Sequence, residues 1–215
     1  MIAVACVRSG TKYSVEYVER LRSMVARYLP QEHRFICLTD QPDQIAGVEM
    51  IDCLHLGWHG WWLKMGLFDP DLRGPDRCLY FDLDTVIIDD LTPLAEWGGE
   101  FGICRNFTKL AGHPTWPCNY GSCVMSLAPG FGRDIYRRFS ADPHGWVRRC
   151  PHGDQEAVEK LYPRAEYLQD HVPAGYFVGR RDFNSHRPKA AAVMIFAGRH
   201  KPHNTPHRWL RKAWQ

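Results

Sequence analysis

Two carboxylates one residue apart, Asp82 and Asp84, close the run Arg77-Cys78-Leu79-Tyr80-Phe81 and precede a second apolar run, Val86-Ile87-Ile88. Like charges so close in an apolar setting are costly, and a cation is the simplest companion that keeps both ionised. Hard oxygen donors favour Mg²⁺ or Mn²⁺, ions that keep coordination positions open for phosphate oxygens. The pattern predicts a divalent-metal site that handles a nucleotide diphosphate. A second Asp-x-Asp, Asp69-Pro70-Asp71, lies in a Pro- and Gly-rich stretch without strand character and reads as a solvated turn. Spacing alone is therefore uninformative. The flanking apolar runs are what separate the two pairs.

The elements that must position this pair read as an alternation of strands and helices. Ile2 to Val7 is a continuous apolar run, as expected of a strand buried on both faces. Tyr17, Leu21, Met24, Val25 and Tyr28 recur at helical spacing, and Pro30 ends that helix. Strands follow over Phe35 to Thr39 and, more weakly, Val48 to Ile51. This beginning predicts a Rossmann-like α/β sheet, with ligands beyond the C-terminal strand ends, where Arg8, Thr39, Asp40 and the 82–84 pair would converge. Gly57 to Phe68 is unusually aromatic, and a 3.6-residue period places Trp61, Met65 and Phe68 on one face. Trp62 and Phe68 read as core. Lys64, beside three tryptophans, needs an anionic partner or an exit to water. Later come a strand over Phe101 to Cys104, a turn and strand over Cys118 to Leu127, and helices over Phe131 to Phe139 and Gln155 to Leu161. Asp154 suits a helix cap, which leaves Gln155 open to other work. Ala190 to Phe196 is a final apolar strand.

The chain has 215 residues, 45% of them hydrophobic and 24% charged, which suits one domain with a sizeable core. A net charge of +3 is too small to imply nucleic acid. Beyond Asp182 there is no acid, while Arg187, Lys189, Arg199, Lys201, Arg208, Arg211 and Lys212 follow. We read a domain over 1–203 and a basic tail over 204–215. The tail suits either docking onto the core or peripheral contact with an anionic membrane, through Trp209, Leu210, Ala213 and Trp214 interleaved with its cations. The eight cysteines form no C-x-x-C pair, and Cys6, Cys37, Cys78 and Cys104 sit in apolar runs. Free thiols point to a reducing, cytoplasmic setting, at most peripheral at the inner membrane face. The N-terminal apolar run is too short for a signal peptide.

Four segments, in order, resemble the GT-A fold glycosyltransferases and within them family 8. They are Tyr80-Phe81-Asp82-Leu83-Asp84, Asn119-Tyr120-Gly121, Asp154-Gln155 and Ile195-Phe196-Ala197-Gly198-Arg199-His200-Lys201-Pro202-His203. The resemblance implies a single-domain GT-A fold, a mixed sheet flanked by helices. It also implies transfer of a sugar from a UDP-sugar to a glycan or lipid-linked acceptor, with Mn²⁺ or Mg²⁺ and with retention of configuration. Asp82 and Asp84 would hold the metal, and Asp82 would also reach the ribose. Lys201, with Gly198 allowing close approach, would grip the diphosphate. Tyr13 would stack on uracil, or else belong to the core. Thr39 and Asp40 would lie near the base or ribose, and Lys64 near the donor sugar or phosphates. Asn119, Asp154 and Gln155 would contact sugar hydroxyls, with Gln155 nearest the anomeric carbon. The family's third metal ligand is a histidine at the position of Ile195, which cannot coordinate. His203, ahead of His200, is the candidate replacement. A rival reading is a haloacid-dehalogenase-type phosphatase with Asp82 as nucleophile and Asp84 as acid/base. The mid-chain position of Asp82-Leu83-Asp84-Thr85, and the Val158 where a later Asp belongs, argue against it.

Overall fold

The computed structural model describes residues 1–41, 43–110, 113, 115–179, 186–196 and 200–215. Its strands are β1 (Ile2–Arg8), β2 (His33–Thr39), β3 (Glu49–Asp52), β4 (Arg77–Phe81), β5 (Val86–Ile87), β6 (Phe101–Arg105), β7 (Tyr120–Leu127), β8 (Glu166–Tyr167), β9 (Phe177–Gly179) and β10 (Val193–Ile195). Its helices are α1 (Val15–Tyr28), α2 (Pro70–Arg73), α3 (Thr92–Ala95), α4 (Phe107–Leu110), α5 (Arg133–Ser140), α6 (Pro143–Arg149), α7 (Asp154–Leu161) and α8 (Arg208–Ala213). A mixed seven-stranded sheet runs in the order β3-β2-β1-β4-β7-β6-β8. Strands β3, β2, β1 and β4 are mutually parallel, whereas β7 is antiparallel to both β4 and β6.

Both faces of the parallel half are covered, which explains its unbroken apolar runs. Val4, Cys6, Leu79 and Phe81 face α1 and a second, three-stranded sheet. Their sequence neighbours Ala3, Ala5, Cys78 and Tyr80 face the 3₁₀ helix Gly60–Phe68, α5 and α7. Helix α1 buries Tyr17, Val18, Leu21, Met24 and Val25, the stripe read from its spacing. The second sheet, β5-β10-β9, departs from expectation. The apolar run after Asp84 and the late strand near 193 pair with each other instead of extending the main sheet.

The aromatic segment also differs from its reading, for a geometric reason. It is a 3₁₀ helix of three residues per turn, so residues three apart eclipse. The core row is Trp62, Met65 and Phe68, with Trp62 stacked on Phe139 at 5.8 Å. Trp61 instead shares a row with Lys64. Arg73 fastens the far end of this helix. Fully buried, it donates to the carbonyls of Leu67, Asp76, Ala128 and Phe131 at 2.7–3.1 Å.

At the C-terminus, Leu210 and Trp214 are buried in the cluster that contains α1. Arg20 lies 4.2 Å over the Trp214 ring and donates to its carbonyl. The tail is thus docked on the core. All eight cysteines are free thiols. No helix among the described residues is long and apolar enough to cross a membrane.

Candidate active site

Parallel strands β1, β2 and β4 end on one edge of the sheet, and the chain turns sharply after Phe81. The Asp82 amide donates to the Cys123 carbonyl of β7, and the Thr85 amide returns to the Asp82 carbonyl. That turn points both carboxylates into a cleft of about 410 Å³, which is lined by Tyr13, Lys64, Asp82, Asp84, Asp154, Gln155 and Lys201. Seven residues singled out in the sequence therefore meet in one place.

The cleft has two ends. At one, Asp84 is buried, and its Oδ2 accepts from the Tyr13 hydroxyl at 2.8 Å and pairs with Lys201 Nζ. Burial and the Asp82 charge raise the Asp84 carboxyl above its ordinary range, outweighing Lys201 and Tyr13. Ile195 and Phe196 also line the cleft. The position where the resembling family has a histidine thus presents a hydrocarbon side chain to the site. At the other end, Lys64 Nζ lies 2.8 Å from Asp82 Oδ1, 3.6 Å from Asp154 Oδ2 and 3.3 Å from Ser122 Oγ. Burial alone would lower this ammonium, but Asp154 and Asp82 together raise it. Asp154, the first residue of α7, is buried and its Oδ2 has no hydrogen-bond partner. Burial raises its carboxyl despite Lys64 and Ser122. The glycine before it has φ +101°, a conformation that L side chains rarely adopt.

Other expected residues stand elsewhere. The Asp40 carboxylate accepts from Ser9 Oγ, the Gly10 amide and Gln41 Nε2 at 2.6–2.9 Å. Burial would raise it, but these bonds bring it below its ordinary range. It shapes the loop after β1 and does not line the cleft. Thr39 is buried and accepts from the Gln41 amide. Asn119 is turned away, bonded to Glu159 Oε1 and Lys109 Nζ, both at 2.6 Å. The glycine of its motif has a backbone reason: a Cβ on Gly121 would stand 2.9 Å from the Arg105 carbonyl, beside the irregular β6–β7 register. His203 Nδ1 is hydrogen-bonded with the Tyr17 hydroxyl, and His200 is exposed. Gly198 lies outside the described residues. Asp69 caps α2, and Asp71 pairs with Arg133 on the surface.

Sequence reasoning passed over Tyr80 and Ser122 as members of the site. The Tyr80 hydroxyl donates to Asp82 Oδ1 at 2.5 Å. A two-residue period along the strand would have shown that both share a face. Ser122 carries no such signal.

The donor chemistry suits a divalent ion in part. Among the described residues no three His, Cys, Asp or Glu side chains cluster to hold one. Asp82 Oδ1 is engaged by Lys64 and Tyr80, and Asp84 Oδ2 by Lys201 and Tyr13, so one oxygen of each carboxylate already has partners. Three carboxylates, Asp82, Asp84 and Asp154, and three ammonium groups, Lys12, Lys64 and Lys201, line the cleft. Two aspartates offer hard oxygens to an ion that arrives with phosphate oxygens of its own.

No protein-family model matches the chain, and no curated protein does. Solved structures do. The galactosyltransferase LgtC, in complex with donor and acceptor sugar analogs, superposes with a TM-score of 0.67 and 13% identity, over 100% of this chain and 95% of its own. The glycosyltransferase GlyE of Streptococcus pneumoniae TIGR4 gives 0.64 and 16%, over 99% of this chain and 59% of its own. Mouse xyloside xylosyltransferase 1 gives 0.54 and 12%, over 90% and 96%. The chain has the fold of the GT-A glycosyltransferases, in agreement with the resemblance carried by its motifs. None of these matches supports a phosphatase.

Proposed function

We propose that the chain is a glycosyltransferase that moves a sugar from a UDP-sugar to a hydroxyl of a glycan or lipid-linked acceptor. The observation that carries this reading is the cleft itself. It presents an ammonium group and an aspartate at each end, with a buried oxygen on Asp154 that accepts no hydrogen bond and is paired only loosely with Lys64, at 3.6 Å. A diphosphate supplies the anion that Lys201 would leave Asp84 to meet, and Asp154, which lines the cleft, would accept from a sugar hydroxyl. Tyr13 stacks the base, Lys64 holds the sugar-proximal phosphate or sugar, and Gln155 lies nearest the anomeric carbon. Thr39 and Asp40 lie near the base or ribose and act through the β1 loop, while Lys201 grips the diphosphate. Asn119 would need to leave Glu159 to reach the sugar.

Mn²⁺ or Mg²⁺ would be held by Asp82 and Asp84, with His203 as a further ligand only if it releases Tyr17. When bound, such an ion supplies electrostatic stabilisation of the leaving diphosphate. Lys201 adds to that stabilisation as negative charge develops. The acceptor hydroxyl oxygen bonds to the anomeric carbon from the face the diphosphate leaves, as the bond from that carbon to the diphosphate oxygen breaks. The hydroxyl proton passes to the departing diphosphate, and configuration is retained. NMR of a product that inverts the donor's anomeric configuration would overturn this last point.

Calorimetry tests the site directly. UDP is expected to bind, and to bind at least about tenfold more tightly with Mn²⁺ present. Mn²⁺ alone should bind weakly, because two protein oxygens make an incomplete shell. Asp84→Ala should remove the metal dependence. Tight Mn²⁺ binding without nucleotide would show a complete protein site, and failure of UDP to bind would sink the donor reading.

Cytoplasmic placement and membrane contact remain part of the proposal. Because Leu210 and Trp214 are buried, contact would run through the exposed Arg208, Arg211 and Lys212. Replacing these three with glutamine should weaken binding to anionic vesicles. Equal co-sedimentation of both proteins would remove the membrane idea.

A further inference from the structure

Trp61 is the large apolar side chain most out of place in the cleft. It is 53% exposed, yet it lines the cleft, one 3₁₀ turn before Lys64 and therefore in the same row. A singly exposed indole is ordinary on an open surface, but one that lines a cleft offers an aromatic face to whatever binds there. Its position is fixed from two sides. The Gly60 amide donates to Ser9 Oγ at 2.8 Å and anchors the start of the 3₁₀ helix. A Cβ on Gly153 would lie 3.2 Å from the Trp61 indole nitrogen, so the glycine ahead of α7 leaves just enough room for the ring.

The surroundings select what covers it. His152 and Gln155 line the same cleft and flank Asp154 in sequence. An apolar ring ringed by donors and acceptors suits a ligand with a hydrocarbon face and hydroxylated edges. A pyranose has both. A planar base would suit the ring too, but Tyr13 and Lys201 lie at the opposite, Asp84 end. With a nucleotide there and its sugar at Lys64 and Asp154, Trp61 stands past the sugar. We propose that Trp61 is the stacking platform for the pyranose ring of the acceptor, which makes the acceptor a glycoside rather than a bare lipid or peptide hydroxyl. This assignment rests on the donor orientation proposed above.

The test reads tryptophan indole ¹⁵N–¹H resonances, with the Trp61 signal assigned by its loss in Trp61→Phe. Protein holding UDP and Mn²⁺ is titrated with methyl β-D-galactopyranoside or methyl β-D-glucopyranoside at tens of millimolar. The Trp61 resonance should shift saturably with at least one sugar. Saturation transfer to the sugar's C–H protons should fall about tenfold in Trp61→Ala and survive in Trp61→Phe. UDP affinity, measured on the same samples, should be unchanged in both variants. Sugar binding that is equal in Trp61→Ala, a Trp61 signal unmoved by both sugars, or a shift driven by UDP alone would each overturn the platform. If UDP fails to bind while a sugar moves Trp61, the donor reading falls and takes the acceptor assignment with it, leaving Trp61 as a sugar-stacking residue only.

Discussion

Lys64→Met is expected to lower the melting temperature by roughly 10 °C and to reduce donor-dependent turnover by about 10²–10³-fold. The reason lies in what the ammonium leaves behind. Lys64 is buried between Asp82 Oδ1 and Asp154 Oδ2, at 2.8 and 3.6 Å. Removing one partner from a buried charge cluster destabilises by about 3–5 kcal/mol, because the remaining charge has neither water nor a counterion. Asp154 is the carboxylate that suffers, since Asp82 is partly exposed and keeps the Tyr80 hydroxyl. The double variant Lys64→Met/Asp154→Asn should therefore regain most of the lost stability while turnover stays low. Thermal melts and initial rates separate the two effects. A single variant that melts like the wild type would mean that the pair contributes nothing to the fold, and recovered turnover in the double variant would remove Lys64 from the reaction.

Much of this arrangement was legible before any coordinates, and the limits have physical causes. The parallel half of the sheet was readable because both of its faces are buried, so Ile2 to Val7 and Cys78 to Phe81 are unbroken apolar runs. The acidic pair was readable because two carboxylates at the end of an apolar strand need cations nearby, which Lys64 and Lys201 supply. The period argument failed at Gly60–Phe68, where three residues per turn replaced the assumed 3.6 and left Trp61 off the face of Met65 and Phe68, while Trp62 and Phe68 pack in the core as read. Short-range motifs do not report a residue's distant partners. Asn119 looked like a sugar contact, yet it is held by Glu159, forty residues on. His203 is close to Lys201 in sequence, but Tyr17 of α1 has claimed its ring. No local pattern reports such long-range pairings. Ile195 is the converse case. Its type alone removed a ligand from the expected set, and the structure puts that side chain in the cleft.

Asp154→Asn is expected to stabilise the free protein while impairing it. Burial raises the Asp154 carboxyl above its ordinary range, so the folded state holds that proton more firmly than the unfolded chain does. A group raised in this way contributes stability that is fully present below its unfolded value, near 3.9, and lost as pH rises through its folded value. Asp40, Glu156 and Glu159, whose carboxyls are lowered, act in the opposite sense and lose their contribution as pH falls. The difference between variant and wild type cancels those common terms. It should be near zero around pH 4 and grow toward neutrality, reaching about 2–4 °C in melting temperature. Lys64 keeps Asp82 as its partner throughout, so the substitution strands no cation. Turnover should nevertheless fall about 10–100-fold, the value of one hydrogen bond between a charged group and a sugar hydroxyl. A melting difference that is flat or negative between pH 4 and pH 7 would show that the carboxylate is at ease where it lies. In that case its buried oxygen would no longer mark a place kept for substrate.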